Sequence, residues 1–256
     1  MKGDAFVSEI LIYPIKGLDP TPVESAVVGE KGSLEGDRVL AIFDEEGKVV
    51  SCKREKALHR VRAEYRLCEG VVVLKAGEEA EFSLSDAKSL SRWFSGFLGY
   101  RVIVRRIEEG LPDDRKARGP TIVSRETLEE VARWFGIDYE ECLRRFRPNI
   151  IINAGDPFWE DRLVDDRGAV SFRLGEITFE GTGISKRCPV PTRNPWTGEV
   201  TKNFVKRFCQ MREKLLPSWS PAERFRDTFY RLCVNTSPVG NQKGKKIRIG
   251  DPLVIL

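Results

Sequence analysis

The chain has 256 residues, of which 41% are hydrophobic and 32% charged, and its formal net charge is +4. That suits one large domain or two small ones with proper cores, and it excludes a disordered or membrane-embedded protein. There is no apolar run near the length of a membrane span, no Lys/Arg block interleaved with aromatics and no signal-peptide pattern at the start, so the expectation is a cytoplasmic protein with neither nucleic acid nor membrane as partner.

In chain order, "AFVSEILIY" (5–13) predicts a strand that enters a turn at Pro14-Ile15-Lys16-Gly17. Short strands follow, with a hairpin turn at Glu45-Glu46-Gly47-Lys48 and a second hairpin in "VVVLKAGEEAEFSL". "SDAKSLSRWFSGFLG" predicts an amphipathic helix, capped by Ser85 or Asp86, ended by Gly99 and burying Leu90, Trp93, Phe94, Phe97 and Leu98. "YRVIVRRI" reads as a strand. The charged, Pro- and Gly-containing segment 108–121 predicts a domain boundary or an active-site loop. Beyond it come a helix capped by Ser124, a short helix in "DYEECLRRF" that Pro148 stops, and the buried-type strand "NIIIN". "AVSFRLGEITFEGTGI" predicts a hairpin leading to Cys188, "NFVKRFCQMREKL" a late helix, and "KKIRIGDPLVIL" a strand, turn and strand. The expected fold is a β-rich α+β protein in two β-barrel-like halves, 1–107 and 108–256, with a few packed helices.

The chemistry concentrates in "ISKRCPVPTRNPWTGEV". Cys188 follows Lys186 and Arg187, cations that favour a thiolate. No nucleotide or hydrolase motif is present, no two cysteines stand at C-x-x-C spacing, and His59 is the only histidine. A structural zinc site and a histidine-based mechanism are therefore unexpected. One protein thiolate is too few for a free metal ion, but it suffices if a cofactor brings further ligands. Such a cofactor carries charge, and other cations stand at element ends: Lys16, Arg38 after Gly36-Asp37, and Arg145 and Arg147 beside Asn149. A sequence poor in Met and rich in Arg and Glu hints at a heat-adapted source, where a cytosolic disulfide is possible.

Taken together, "ILIYPIKG", "LEGDRVLAIFDEEGKVVS", "RFRPNIII" with "PFWEDR", "KRCPVPTRNPWTGEV" and "IRIGDPLVIL" resemble MOSC-domain proteins that carry an N-terminal β-barrel partner, in the layout of the mitochondrial amidoxime-reducing component and its bacterial counterparts. The resemblance spans nearly the whole chain. It implies the molybdenum cofactor (molybdopterin, Mo), with Cys188 as the metal ligand. Lys16, Arg38, Arg147 and Arg187 would hold the pterin phosphate and polar edge. Asn149 would hydrogen-bond nearby, and Asp37 would orient Arg38. Thr192 and Asn194 would line the site, with Lys186, Ser124 and Arg118 as weaker choices. The implied activity is reduction of a small N-hydroxylated substrate, with Cys188 and Asn194 at the reacting centre. No four-cysteine cluster motif is present, so the electrons would come from a separate donor protein. A cofactor or sulfur carrier without redox turnover is the alternative, and a binding fold with a structural cysteine the third reading. Three departures stand out. Gly17 replaces a serine common in relatives, Ser185 replaces a frequent second cysteine, and Asn194 replaces an acid, which removes a general base.

Overall fold

The structure, a computed structural model, describes residues 5–107, 119–165 and 168–256. Arg118 and most of the expected boundary segment lie outside them. In chain order the first part comprises β1 (Ala5–Ile12), β2 (Thr21–Pro22), β3 (Ser25–Val27), β4 (Leu40–Asp44), β5 (Val49–Val50), β6 (Arg62–Arg66), β7 (Val71–Ala76), β8 (Glu78–Ser83), α1 (Ala87–Leu98) and β9 (Val102–Arg106). The second part comprises β10 (Thr121–Ser124), α2 (Arg125–Phe135), α3 (Tyr139–Phe146), β11 (Ile150–Asn153), β12 (Val164–Asp165), β13 (Gly168–Leu174), β14 (Ile177–Lys186), α4 (Phe204–Lys214), β15 (Arg231–Pro238), β16 (Lys246–Arg248) and β17 (Pro252–Ile255).

Seven strands close into a barrel in the order β11-β10-β15-β14-β13-β17-β1, and β1 pairs back onto β11. Closure removes the sheet edges. Val7, Ile10, Ile122, Ile150, Phe172, Phe179 and Val234 belong to one apolar cluster within this half. β10 and β11 are parallel, which demands a crossover, and α2 and α3 supply it. Those helices pack with α4 over a second cluster that holds Leu128, Val131, Trp134, Phe146, Phe204 and Phe208. The helix signals hold. Asp86 rather than Ser85 caps α1, Ser124 caps α2, and Gly99 and Gly136 end their helices in left-handed conformation.

The N-terminal half has its own cluster, in which the sheets β5-β4-β9 and β6-β7-β8 enclose Leu40, Ile42, Leu74, Leu90 and Phe94. Strand pairing crosses residue 107, the expected division. β1 and β3 precede it in the chain, yet β1 is a stave of the second barrel and β3 pairs with β16. All six cysteines are free thiols, so no disulfide forms.

Candidate functional site

Three segments converge where α3 ends and β11 begins. The first is the turn after β1. Tyr13 is fully buried there and donates its hydroxyl to the Pro148 carbonyl at 3.0 Å. Its ring supports two cations, with the Arg38 and Arg147 guanidiniums 4.7 and 4.4 Å from the ring centroid. Arg38 donates to Asp37, to Asn149 Oδ1 at 3.2 Å and to the Arg147 carbonyl at 3.3 Å. Asp37 also accepts from the Tyr13 backbone N–H at 2.9 Å. Arg147 donates to the Leu18 carbonyl at 2.6 Å, which ties α3 to the Lys16–Asp19 turn. Asn149 is buried, accepts from Thr121 and donates to the Leu11 carbonyl at 3.1 Å.

Arg38 and Arg147 both lie in the left-handed region, at φ 52° and 55°. A non-glycine residue there costs on the order of 1 kcal/mol or more, and such strain gathers at functional sites. Here it turns two guanidiniums toward one ring.

The third segment follows β14. Arg187 donates its backbone N–H to the Tyr230 carbonyl at 3.0 Å and its side chain to the Phe146 carbonyl at 2.5 Å. Its Nε is buried with no hydrogen-bond partner among the described residues. Cys188 comes next, exposed and free, with its carbonyl 3.4 Å from the Tyr230 hydroxyl. The loop beyond is clamped from below by Arg145, which is buried and donates to Glu141, to the Pro191 carbonyl at 2.8 Å and to Thr201 Oγ1 at 3.0 Å.

The structure therefore brings Arg38, Arg147, Asn149 and Arg187 together around the end of α3, with Asp37 as the bracing acid and Cys188 adjoining Arg187. Lys16 stands on the same turn as Leu18, with its backbone N–H bonded to the Leu40 carbonyl at 2.8 Å. Thr192 donates to the Pro189 carbonyl at 2.7 Å within the loop. Asn194 is spent on a turn, because its Oδ1 accepts from the Trp196 and Thr197 backbone N–H groups at 2.9 and 3.1 Å. Lys186 points its ammonium at Asp227, whose carboxyl is held down to about 2 by Arg231 and Lys186. Ser124 does not join the cluster. It lies at the far end of β10 from Thr121, fully buried, capping α2 and facing Glu160. Arg145, grouped in the sequence with phosphate-binding cations, is a loop clamp. Tyr13 was not legible as part of a site, since a tyrosine ending an apolar strand reads as core.

The donor set sets limits on what can bind. Among the described residues no group of three or more His, Cys, Asp and Glu side chains is placed to hold a metal ion. Among the described residues Arg38 donates to one carboxylate, Asp37, and to carbonyl and amide oxygens, whereas Arg147 and Arg187 donate to carbonyls and a hydroxyl. An anionic group would balance that charge.

Family profiles match both halves: "MOSC N-terminal beta barrel domain" over residues 4–92 and "MOSC domain" over residues 116–254. The chain belongs to the MOSC-domain family. This MOSC protein is 22% identical to mitochondrial amidoxime reducing component 2 of Macaca fascicularis, over 96% of this chain and 82% of that protein. It is 23% identical to mitochondrial amidoxime-reducing component 1 of Xenopus laevis, over 96% and 81%. It is also 20% identical to the molybdenum cofactor sulfurase of Drosophila grimshawi, covering 97% of this chain but 34% of that protein.

Proposed function

We propose that this MOSC protein binds the molybdenum cofactor and reduces small N-hydroxylated compounds with electrons from a separate donor protein. The observation that carries the reading is the three-arginine cluster over Tyr13 and Phe146, with one bracing carboxylate and an exposed thiol directly after Arg187. In this reading Cys188 Sγ is the metal ligand. Lys16, Arg38, Arg147 and Arg187 hold the anionic pterin part, and Asn149 and Asp37 fix Arg38. Fixed cations on strained backbone lose little freedom when the ligand arrives, which favours binding. When bound, the cofactor supplies a two-electron redox centre. The net reaction breaks the substrate N–O bond, takes up two electrons and two protons, and yields the N–H compound and water. Thr192 and Asn194 shape the loop beside Cys188, and the amide of Asn194 holds the turn rather than moving a proton.

The test is elemental analysis after expression with a full supply of cofactor. Near-stoichiometric molybdenum in wild type, lost in Cys188→Ala, supports the assignment, whereas no metal in either overturns it. The match to a molybdenum cofactor sulfurase supports a second reading, a carrier of cofactor or sulfur. Loaded protein given a reduced viologen and an aromatic amidoxime separates the two, because turnover is expected only of a reductase.

A further inference from the structure

The two halves meet around a cavity of about 20 Å³, lined by Gly17, Asp19, His59 and Arg62 from one side and by Arg147 and Val190 from the other. That is room for one water molecule, given polar partners. His59 supplies one. It is 5% exposed, and its Nε2 has no hydrogen-bond partner among the described residues. The ring also meets the backbone of Cys52, while burial and the nearby Arg193, Arg147 and Arg62 push its pKa down to about 4. At neutral pH it is a neutral imidazole, able to present a lone pair.

The loop after Cys188 sits directly on this seam. Val190 packs against the N-terminal core. Arg62 donates to the Pro195 carbonyl at 3.1 Å and also to the His59 carbonyl. Gly198, at φ +76°, lies so close that a Cβ there would stand 2.8 Å from the Lys56 carbonyl oxygen and 3.4 Å from His59 Cβ. Only glycine lets the turn dock so closely.

We propose that His59 is a positioning residue for the Cys188 loop: its Nε2 holds one buried water in this cavity, and that water, Arg62 and Gly198 together clasp the loop to the N-terminal half. The consequence for cofactor retention rests on the reading above; the clasp itself is a property of the cofactor-free chain.

Limited trypsin digestion of the full cofactor-free chain tests it, with cuts after Arg193 and Lys202 followed by mass spectrometry. Losing the hydrogen bonds of one buried bridge speeds loop opening by about tenfold. His59→Leu is expected to be cut about that much faster, with hydrogen exchange of β4 and β9 unchanged. His59→Gln, which keeps an acceptor, is expected to stay near wild type, while Gly198→Ala matches the leucine variant. A high-resolution crystal structure is expected to show an ordered water on Nε2. Unchanged cleavage in the leucine variant overturns the proposal. So does equal acceleration in the leucine and glutamine variants, which would point to ring shape, and so does loss of exchange protection throughout the N-terminal half, which would make His59 only a core residue. The cofactor reading fails separately, by absence of molybdenum from wild type.

Discussion

Between pH 4.5 and 6.5 two buried groups pull the stability of this protein in opposite directions. Glu160 is 1% exposed, and its carboxyl is raised from 4.5 to about 7 by burial and by Asp161 beside it, against Arg212 and a hydrogen bond from Ser124. The folded chain therefore keeps this proton after the unfolded chain has lost it. The contribution of Glu160 is full below pH 4.5 and drains away as pH rises to about 7. His59 does the reverse. Its folded pKa lies below its unfolded value of 6.5, so its contribution is full above 6.5 and drains away as pH falls to about 4. Inside the shared window the folded state holds one extra proton on Glu160 and one fewer on His59, and the slopes cancel. Removing one partner uncovers the other at about 1.4 kcal/mol per pH unit. Glu160→Gln is expected to grow more stable with rising pH, by about 2 kcal/mol across the window once solvent reaching the His59 seam is discounted. His59→Gln is expected to grow less stable by about 3 kcal/mol over the same range. Urea denaturation at half-unit pH steps reads both. If the Glu160→Gln curve runs parallel to wild type, Glu160 is already ionised in the folded chain and the reasoning fails.

Other substitutions test other parts of the framework. Arg212, fully buried over the Phe158 ring, donates to Asp161, which also accepts from Ser220 at 2.5 Å; Arg212→Met strands that carboxylate and is expected to cost about 3–5 kcal/mol by chemical denaturation. Asn149→Leu removes the acceptor for Thr121 and the donor to the Leu11 carbonyl, so a loss of about 2–4 kcal/mol is expected, with weaker cofactor retention because Arg38 loses a brace. Asn194→Asp keeps the oxygen that caps the turn and is expected to leave molybdenum content unchanged, whereas Asn194→Ala gives up about 1 kcal/mol of turn stability and loosens the loop. A large drop in turnover for the aspartate variant, with metal content intact, would return Asn194 to the chemistry.

Local signals in the sequence were reliable where one residue type has one common use. Asp86, Ser124 and Gly99 marked helix ends correctly because few residues serve as caps there. β15 was not legible: "RLCVNTSP" has no clean alternation, and its Cys233 takes a left-handed φ of 64°. The three arginines could be picked out as cations near turns, but not the backbone strain at Arg38 and Arg147 that aims two of them, since φ at a non-glycine residue leaves no mark in composition. Buried charge was hidden for a related reason. Glu160, Asp161 and Arg212 look like surface residues until distant segments enclose them. The seam residues His59 and Arg62 meet the loop only through the fold, from more than 130 positions away.

The closing of the barrel also orders its assembly in time. β1 lies between β17 and β11, so Ala5 pairs with Leu253 and Ile10 with Ile150. During synthesis β1 emerges well before either of its barrel neighbours, β11 and β17. The N-terminal sheets and α1 make mostly local contacts and can form while β1, paired only with β2, waits for its barrel neighbours. The barrel, and with it the register that sets Tyr13 beneath the arginines, completes only after a loop spanning nearly the whole chain has closed. Until then the open edges of an apolar strand are exposed to mispairing, which makes the interval before β17 docks the period when this chain most needs protection from aggregation.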